Sequence, residues 1–302
     1  MTGKRTVQFV VGVFMIALWS SAFADDFDDG VAARDRGDYA TAVSKFRKAS
    51  EQGSASAQAS LADMYYEGEG VPRNYMLAIY WYEKAAEQGD VRAQFKLGLM
   101  YDDGEGDLEG YMLAIYWYGK AAEQGDVRAL FNLGLMYSNS EGALRDYPAA
   151  AYWYTKAAEL GHADAQNNLG IMYDEGEGVP KDYNQAVYWY TRAAEQGNAW
   201  AQNNLGVMYD KGQGVPRNYK QAVYWYTKAA EQGNAWAQAN LGAMYGNGHG
   251  VAKDYVQAYV WFSLATAQDI EDDWMSLDLL EYQMTPEQIA EAQRLAREWK
   301  PR

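Results

Sequence analysis

Side chains able to do chemistry are sparse in this 302-residue chain, and their positions speak against catalysis. It has two histidines, His162 and His249, and no cysteine. The missing thiols exclude disulfides, thiolate metal sites, cysteine nucleophiles and a Cys-anchored lipid. Carboxylates are densest in Asp102-Asp103-Gly104-Glu105-Gly106-Asp107. That run lacks the alternating ligands and the terminal Glu of an EF-hand, so it reads as a solvated loop. Gly-x-Gly pairs such as Gly176-Glu177-Gly178 lack the third glycine and the preceding strand of a phosphate-binding turn. There is no Ser-x-x-Lys motif and no supported serine–histidine–acid set. Nothing in the carboxylate spacing points to a paired-acid glycosidase. No catalytic residue, metal or cofactor is expected, and a hydrolase is the weakest reading.

The elements that carry these residues repeat every 36 positions. Trp81, Trp117, Trp153, Trp189, Trp225 and Trp261 keep that step, as do Leu61, Leu97, Leu133, Leu169, Leu205 and Leu241. Tyrosine follows it twice, from Tyr65 to Tyr245 and from Tyr75 to Tyr255. Four coincident registers mark a repeat array. The histidines fall into its ordinary surface slots. His162 stands where other units place Asp, Asn or Ser before a helix, and His249 where they place Glu or Gln in a loop.

Each unit has two helical stretches. In the fourth, helix A runs over Ala163–Tyr173, with Ala165, Leu169 and Met172 on one face. Helix B runs from about Tyr183 to Glu195, with Tyr183, Ala186, Tyr190, Ala193 and a flanking Trp189. Asp90, Asp126, Asn198 and Asn234 are N-cap acceptors for helix A, and Asn74, Asp146, Asp182, Asn218 and Asp254 for helix B. Gly89, Gly125, Gly161, Gly197 and Gly233 end helix B in a left-handed conformation. Pro180 stops helix A from continuing. The second and third units replace Val-Pro by Asp107-Leu108 and Ala143-Leu144, and the third has Ser140 at a loop glycine slot, so those loops should be less uniform. Gly170 and Gly206 should let helices approach closely.

The run Ala165-Gln166…Leu169-Gly170…Met172-Tyr173…Gly176-Glu177-Gly178-Val179-Pro180…Tyr183…Ala186…Trp189-Tyr190…Ala193-Ala194…Gly197 resembles the Sel-one-like repeat family, relatives of the tetratricopeptide repeats. The resemblance covers about Ser54 to Asp269. It implies an all-α fold, a right-handed superhelical α-solenoid of helix–turn–helix repeats, and a non-enzymatic role in binding other proteins. Secreted family members labelled β-lactamases are rich in cysteine, which this chain lacks. One helix pair exposes two apolar faces, so stability must come from stacking.

The expected organisation is a signal peptide over 1–24, an abbreviated tetratricopeptide-like repeat over 25–53, six 36-residue repeats over 54–269 and a helical cap over 270–302. Lys4 and Arg5 form a basic start, Val7–Trp19 is apolar apart from Gln8 and Gly12, and Ala22 and Ala24 fit a signal-peptidase site after Ala24. A periplasmic or secreted protein is expected, with no membrane span in the mature chain. Without residues 1–24 the chain keeps 24 basic and 41 acidic side chains, two charges more negative than the −15 of the full sequence. Such a surface repels nucleic acid and attracts cationic partners. At the other end, Thr285-Pro286-Glu287-Gln288 is a capping box ahead of an apolar face of Ile289, Ala292, Ala296 and Trp299.

Solenoids bind on a concave face lined by helix A. Its solvent slots vary while its core slots do not. Asn132, Asn168, Asn204 and Asn240 share one slot and should form a ladder, flanked by Asn167 and Asn203. Asparagine donates and accepts, which suits a peptide or glycan backbone. One turn earlier the slot holds Arg92, Arg128, Asp164, Trp200 and Trp236. The tryptophans either anchor a ligand or pack on a neighbouring helix. The candidate partner-binding residues are therefore Arg92, Arg128, Asn132, Asn168, Trp200, Asn204, Trp236 and Asn240. A protein or peptide partner is the leading expectation, and cell-wall glycan the alternative.

Overall fold

The computed structural model describes residues 26–102, 108–139, 145–268 and 277–301. The expected signal peptide, the acidic loop beyond Asp102, the segment holding Ser140 and Ala143-Leu144, and the start of the expected C-terminal cap at Ile270 lie outside the described residues. Every regular element among the described residues is a helix. Residues 26–35 form α1 and Tyr39–Glu51 form α2. Helix A of the six repeats is α3 (Ala55–Glu67), α5 (Val91–Asp102), α7 (Val127–Asn139), α9 (Ala163–Glu175), α11 (Ala199–Lys211) and α13 (Ala235–Asn247). Helix B is α4 (Tyr75–Glu87), α6 (Leu108–Glu123), α8 (Tyr147–Glu159), α10 (Tyr183–Glu195), α12 (Tyr219–Glu231) and α14 (Tyr255–Thr266). Short α15 (Leu277–Glu281) and α16 (Pro286–Glu298) follow. The chain divides into two compact units, residues 1–133 and 134–302.

The caps are those the spacing predicts. Asn198 Oδ1 accepts the Ala201 N–H at 2.8 Å, and His162 caps α9 in the same way, its Nδ1 accepting the Ala165 N–H at 3.3 Å. Thr285 and Gln288 close the capping box of α16. Two boundaries differ from expectation. Helix A reaches Glu175 rather than Tyr173, because nothing disfavours helix until the left-handed Gly176 (φ 80). The second repeat's helix B begins at Leu108, three residues before its tyrosine slot, and Gly110 stands there where the other helices B have an Asn or Asp N-cap.

In the first unit the core gathers Phe46, Leu61, Met64, Tyr82, Leu97 and Trp117. In the second unit it gathers Tyr190, Leu205 and Met208, then Tyr226, Leu241, Met244 and Trp261, then Val260, Phe262, Leu280 and Ala292. Trp189 is 8% exposed, a core residue as its spacing predicts. Trp299, just beyond α16, packs edge-on against Trp261 at 6.2 Å between ring centroids. Gly170 lets the repeat close: a Cβ there would lie 2.6 Å from the buried Tyr190 ring. Gly178 (φ +71) lets the loop rest on the preceding helix B, where a Cβ would lie 2.3 Å from the Tyr147 carbonyl oxygen.

A buried amide clasp also recurs. Gln166 Nε2 donates to the Ala158 carbonyl of the preceding repeat at 3.0 Å, and its Oε1 accepts from Gln196 Nε2 of its own repeat at 2.7 Å. The same pairing joins Gln88 to Gln58, Gln124 to Gln94, Gln232 to Gln202 and Gln268 to Gln238. The third repeat holds Leu130 and Leu160 at these slots, so both halves are replaced together.

Candidate functional site

The amide row on the second unit's helix-A face is staggered. The sequence suggests a ladder of equivalent asparagines 36 residues apart, and the structure corrects this to a step of 37. Asn204 Nδ2 donates to Asn167 Oδ1 at 3.1 Å, and Asn240 Nδ2 donates to Asn203 Oδ1 at 2.9 Å. Within each helix the flanking amide donates onward, Asn167 to Asn168 at 3.3 Å and Asn203 to Asn204 at 3.4 Å. Successive helices A lie offset, so the residue before the expected partner is the one reached. The flanking Asn167 and Asn203 are therefore the buried members, each 7% exposed. Asn132 lies in the first unit, where the residue 37 positions earlier is Phe95, which offers no amide.

Beside this row Trp200 and Trp236 are 55% and 52% exposed. They are not packed away against a neighbouring helix. Trp200 walls a cleft of ≈ 450 Å³ whose other sides are Asn167, Asn168 and Asn204, the side chains of Ile171 and Tyr190, and the carboxylates of Asp174 and Glu175. A narrower groove of ≈ 200 Å³ continues from it, sharing Asn168 and Ile171 and reaching Ser138 and Tyr154. The Ser138 and Tyr154 hydroxyls lie 3.0 Å apart. Burial pushes the Glu175 carboxyl above its usual range, Glu177 and Asp174 add to the shift, and Lys181 opposes it. Burial likewise raises Asp210, the equivalent of Asp174 one repeat later, against the pull of His249, Lys211 and Arg217. Neither Asp174 nor Glu175 has a lysine or arginine nitrogen within ion-pair distance among the described residues.

The two arginines of the same slot lie in the first unit and are engaged internally. Arg92 Nη1 pairs with Asp63 Oδ2 at 3.2 Å, and its Nη2 donates to Ser60 Oγ at 3.2 Å. Asp63 also accepts the Tyr82 hydroxyl at 2.6 Å. Arg128 pairs with Asp126 at 2.6 Å and lies over the Phe95 ring, 4.2 Å from its centroid.

The carboxylates of the cleft are not among the residues singled out from sequence, although an acid at the end of helix A recurs as Asp102, Asp174 and Asp210. A second feature recurs on helix B of both units. Tyr80, Tyr116, Tyr152, Tyr188 and Tyr224 are each about half exposed and edge-on to the neighbouring tryptophan. Each has a lysine or arginine four residues on over its ring. His249 stacks on Tyr219 at 4.6 Å. Among the described residues no three His, Asp or Glu side chains are grouped to hold a metal ion, and no helix is long and apolar enough to cross a membrane.

No curated protein matches the chain. Among solved structures, a Sel1 repeat protein from Oxalobacter formigenes is 34% identical over 83% of this chain and 99% of its own, with a TM-score of 0.66. A protective antigen of uropathogenic Escherichia coli with an SLR fold is 32% identical over 91% of this chain and 75% of its own, with a TM-score of 0.38. The Sel1 repeat model matches residues 55–90, 91–126, 127–162, 163–198, 201–234 and 237–270. Such repeats point to a protein-interaction scaffold. With six tandem matches and a neighbour of shared length, the chain belongs to the Sel1 repeat family.

Proposed function

We propose that the chain is a non-enzymatic scaffold that holds an extended polypeptide along the helix-A face of its second unit. One observation carries this reading: Trp200 and Trp236, more than half exposed, stand beside asparagines fixed by one another. Amides held in place can meet the donors and acceptors of a polypeptide backbone, while large exposed aromatics supply area at little entropic cost. The Trp200→Ala, Trp236→Ala double variant should unfold at nearly the parental midpoint and fail to retain a crosslinked partner. A marked loss of stability with unchanged capture would assign the tryptophans to packing instead. The same rings would stack on a sugar, so cell-wall glycan is the second reading, and co-sedimentation with purified peptidoglycan would favour it. The basic start, apolar run and Ala22-Phe23-Ala24 site support export with cleavage after Ala24, to the periplasm or beyond. Amino-terminal sequencing of the exported protein, expected to begin at Asp25, tests that.

A further inference from the structure

We infer that the cleft beside Trp200 receives a cationic side chain, arginine or lysine, of the bound polypeptide. This rests on the polypeptide reading above and names what that polypeptide must carry.

The chain contains its own precedent. In the first unit the same inter-helix position is filled from within. The guanidinium of Arg92 sits on Ser60 and Asp63, whose slots are those of Asn168 and Ile171, two of the residues lining the Trp200 cleft. The guanidinium of Arg128 sits over Phe95, whose slot is that of Asn167, a third lining residue. The helix-A cleft is thus a place where this fold accommodates a guanidinium. In the second unit the arginine is replaced by Trp200, and the cleft is left open at ≈ 450 Å³. Its carboxylates have moved to Asp174 and Glu175, and neither forms an ion pair among the described residues. An indole face, two carboxylates and amide oxygens are the groups that recognise a guanidinium or ammonium. The charge of the whole chain, −15, has the sign that draws such a ligand in. The next repeat places Asn203, Asp210, Tyr226 and Trp236 at the corresponding slots. There Lys211 replaces Glu175, so the Trp200 cleft is the stronger of the two.

The test is isothermal titration of the full mature chain with a short capped peptide of alternating alanine and arginine, and with its uncharged citrulline counterpart. The arginine peptide should bind at least tenfold more tightly. The Asp174→Asn, Glu175→Gln variant should erase that preference, and the Glu159→Gln, Glu195→Gln variant, with the same change in net charge at exposed ends of helix B, should keep it. Equal binding of the two peptides, or an equal loss in both variants, overturns the cationic subsite and leaves the polypeptide groove standing. Undiminished binding of both peptides by the Trp200→Ala, Trp236→Ala variant overturns the groove itself.

Discussion

The slot that opens helix A holds Arg92 and Arg128 in the first unit, and Trp200 and Trp236 in the second. The cores beneath are built alike: Leu97 and Leu205 are both fully buried, and so are Tyr118 and Tyr226. The faces above are not. The first unit satisfies its own charges, Arg92 with Asp63 and Arg128 with Asp126. The second leaves aromatic surface and carboxylates facing water. A repeat array can therefore fix its packing in one set of slots and change its face in another, and the open face of the second unit is the one proposed above for binding.

The contrast is broken most severely through the core. Trp189→Ala should cost ~3–5 kcal/mol, whereas Trp200→Ala should stay within ~0.5 kcal/mol. Urea unfolding of both measures the difference, and equal losses would erase the distinction between core and face. Next is the amide clasp. Gln166→Leu removes the buried amide that joins the Ala158 carbonyl to Gln196, leaving Gln196 only the Arg192 carbonyl, and should cost ~1–3 kcal/mol. Adding Gln196→Leu recreates the pair that the third repeat carries as Leu130 and Leu160, and should restore part of that loss. A double-mutant cycle without coupling would deny the pairing any energetic meaning. Third, Trp200→Arg transplants the first unit's residue into the second unit's cleft. Affinity for the arginine peptide should fall about tenfold, ~1.4 kcal/mol; unchanged affinity would mean the slot does not choose between a filled and an open cleft. The smallest effect is that of pH. With Glu175 held above the usual carboxylate range, chiefly by burial, acidification through that raised pKa should weaken peptide binding, and Glu175→Gln should flatten the profile. Stability moves the other way. A carboxyl whose pKa is higher folded than unfolded contributes stability below its unfolded pKa and loses it as pH rises through the folded one. Release on acidification would thus not come from this group unfolding the repeat.

Much of this was legible in the residues. Period fixes burial, so Trp189 and Leu169 could be placed in the core without coordinates, and Asn198 and Gly197 could be assigned as caps because backbone geometry demands those residue types there. The stagger of the asparagines was not legible, because it depends on how far one helix A slides along the next, and periodicity carries no such offset. The carboxylates escaped for a related reason: Asp174 and Glu175 look like a solvated helix end until Trp200, 25 and 26 residues away in sequence, is seen to wall the same cleft. The clasp had a visible sign, the joint replacement by Leu130 and Leu160, whose meaning needed the Gln196–Gln166 bond.

That bond has a consequence for how such a chain can grow. Both side chains of the clasp belong to one repeat, 30 residues apart. Toward its neighbour the clasp asks only for a backbone carbonyl, that of Ala158 in the fourth repeat, which a residue of any type supplies. A copied or deleted repeat therefore takes its complete clasp with it and orphans neither glutamine of that clasp at the new joint. Copy number can drift without penalty to the clasp, and the proposed binding face would lengthen or shorten by one whole repeat at a time.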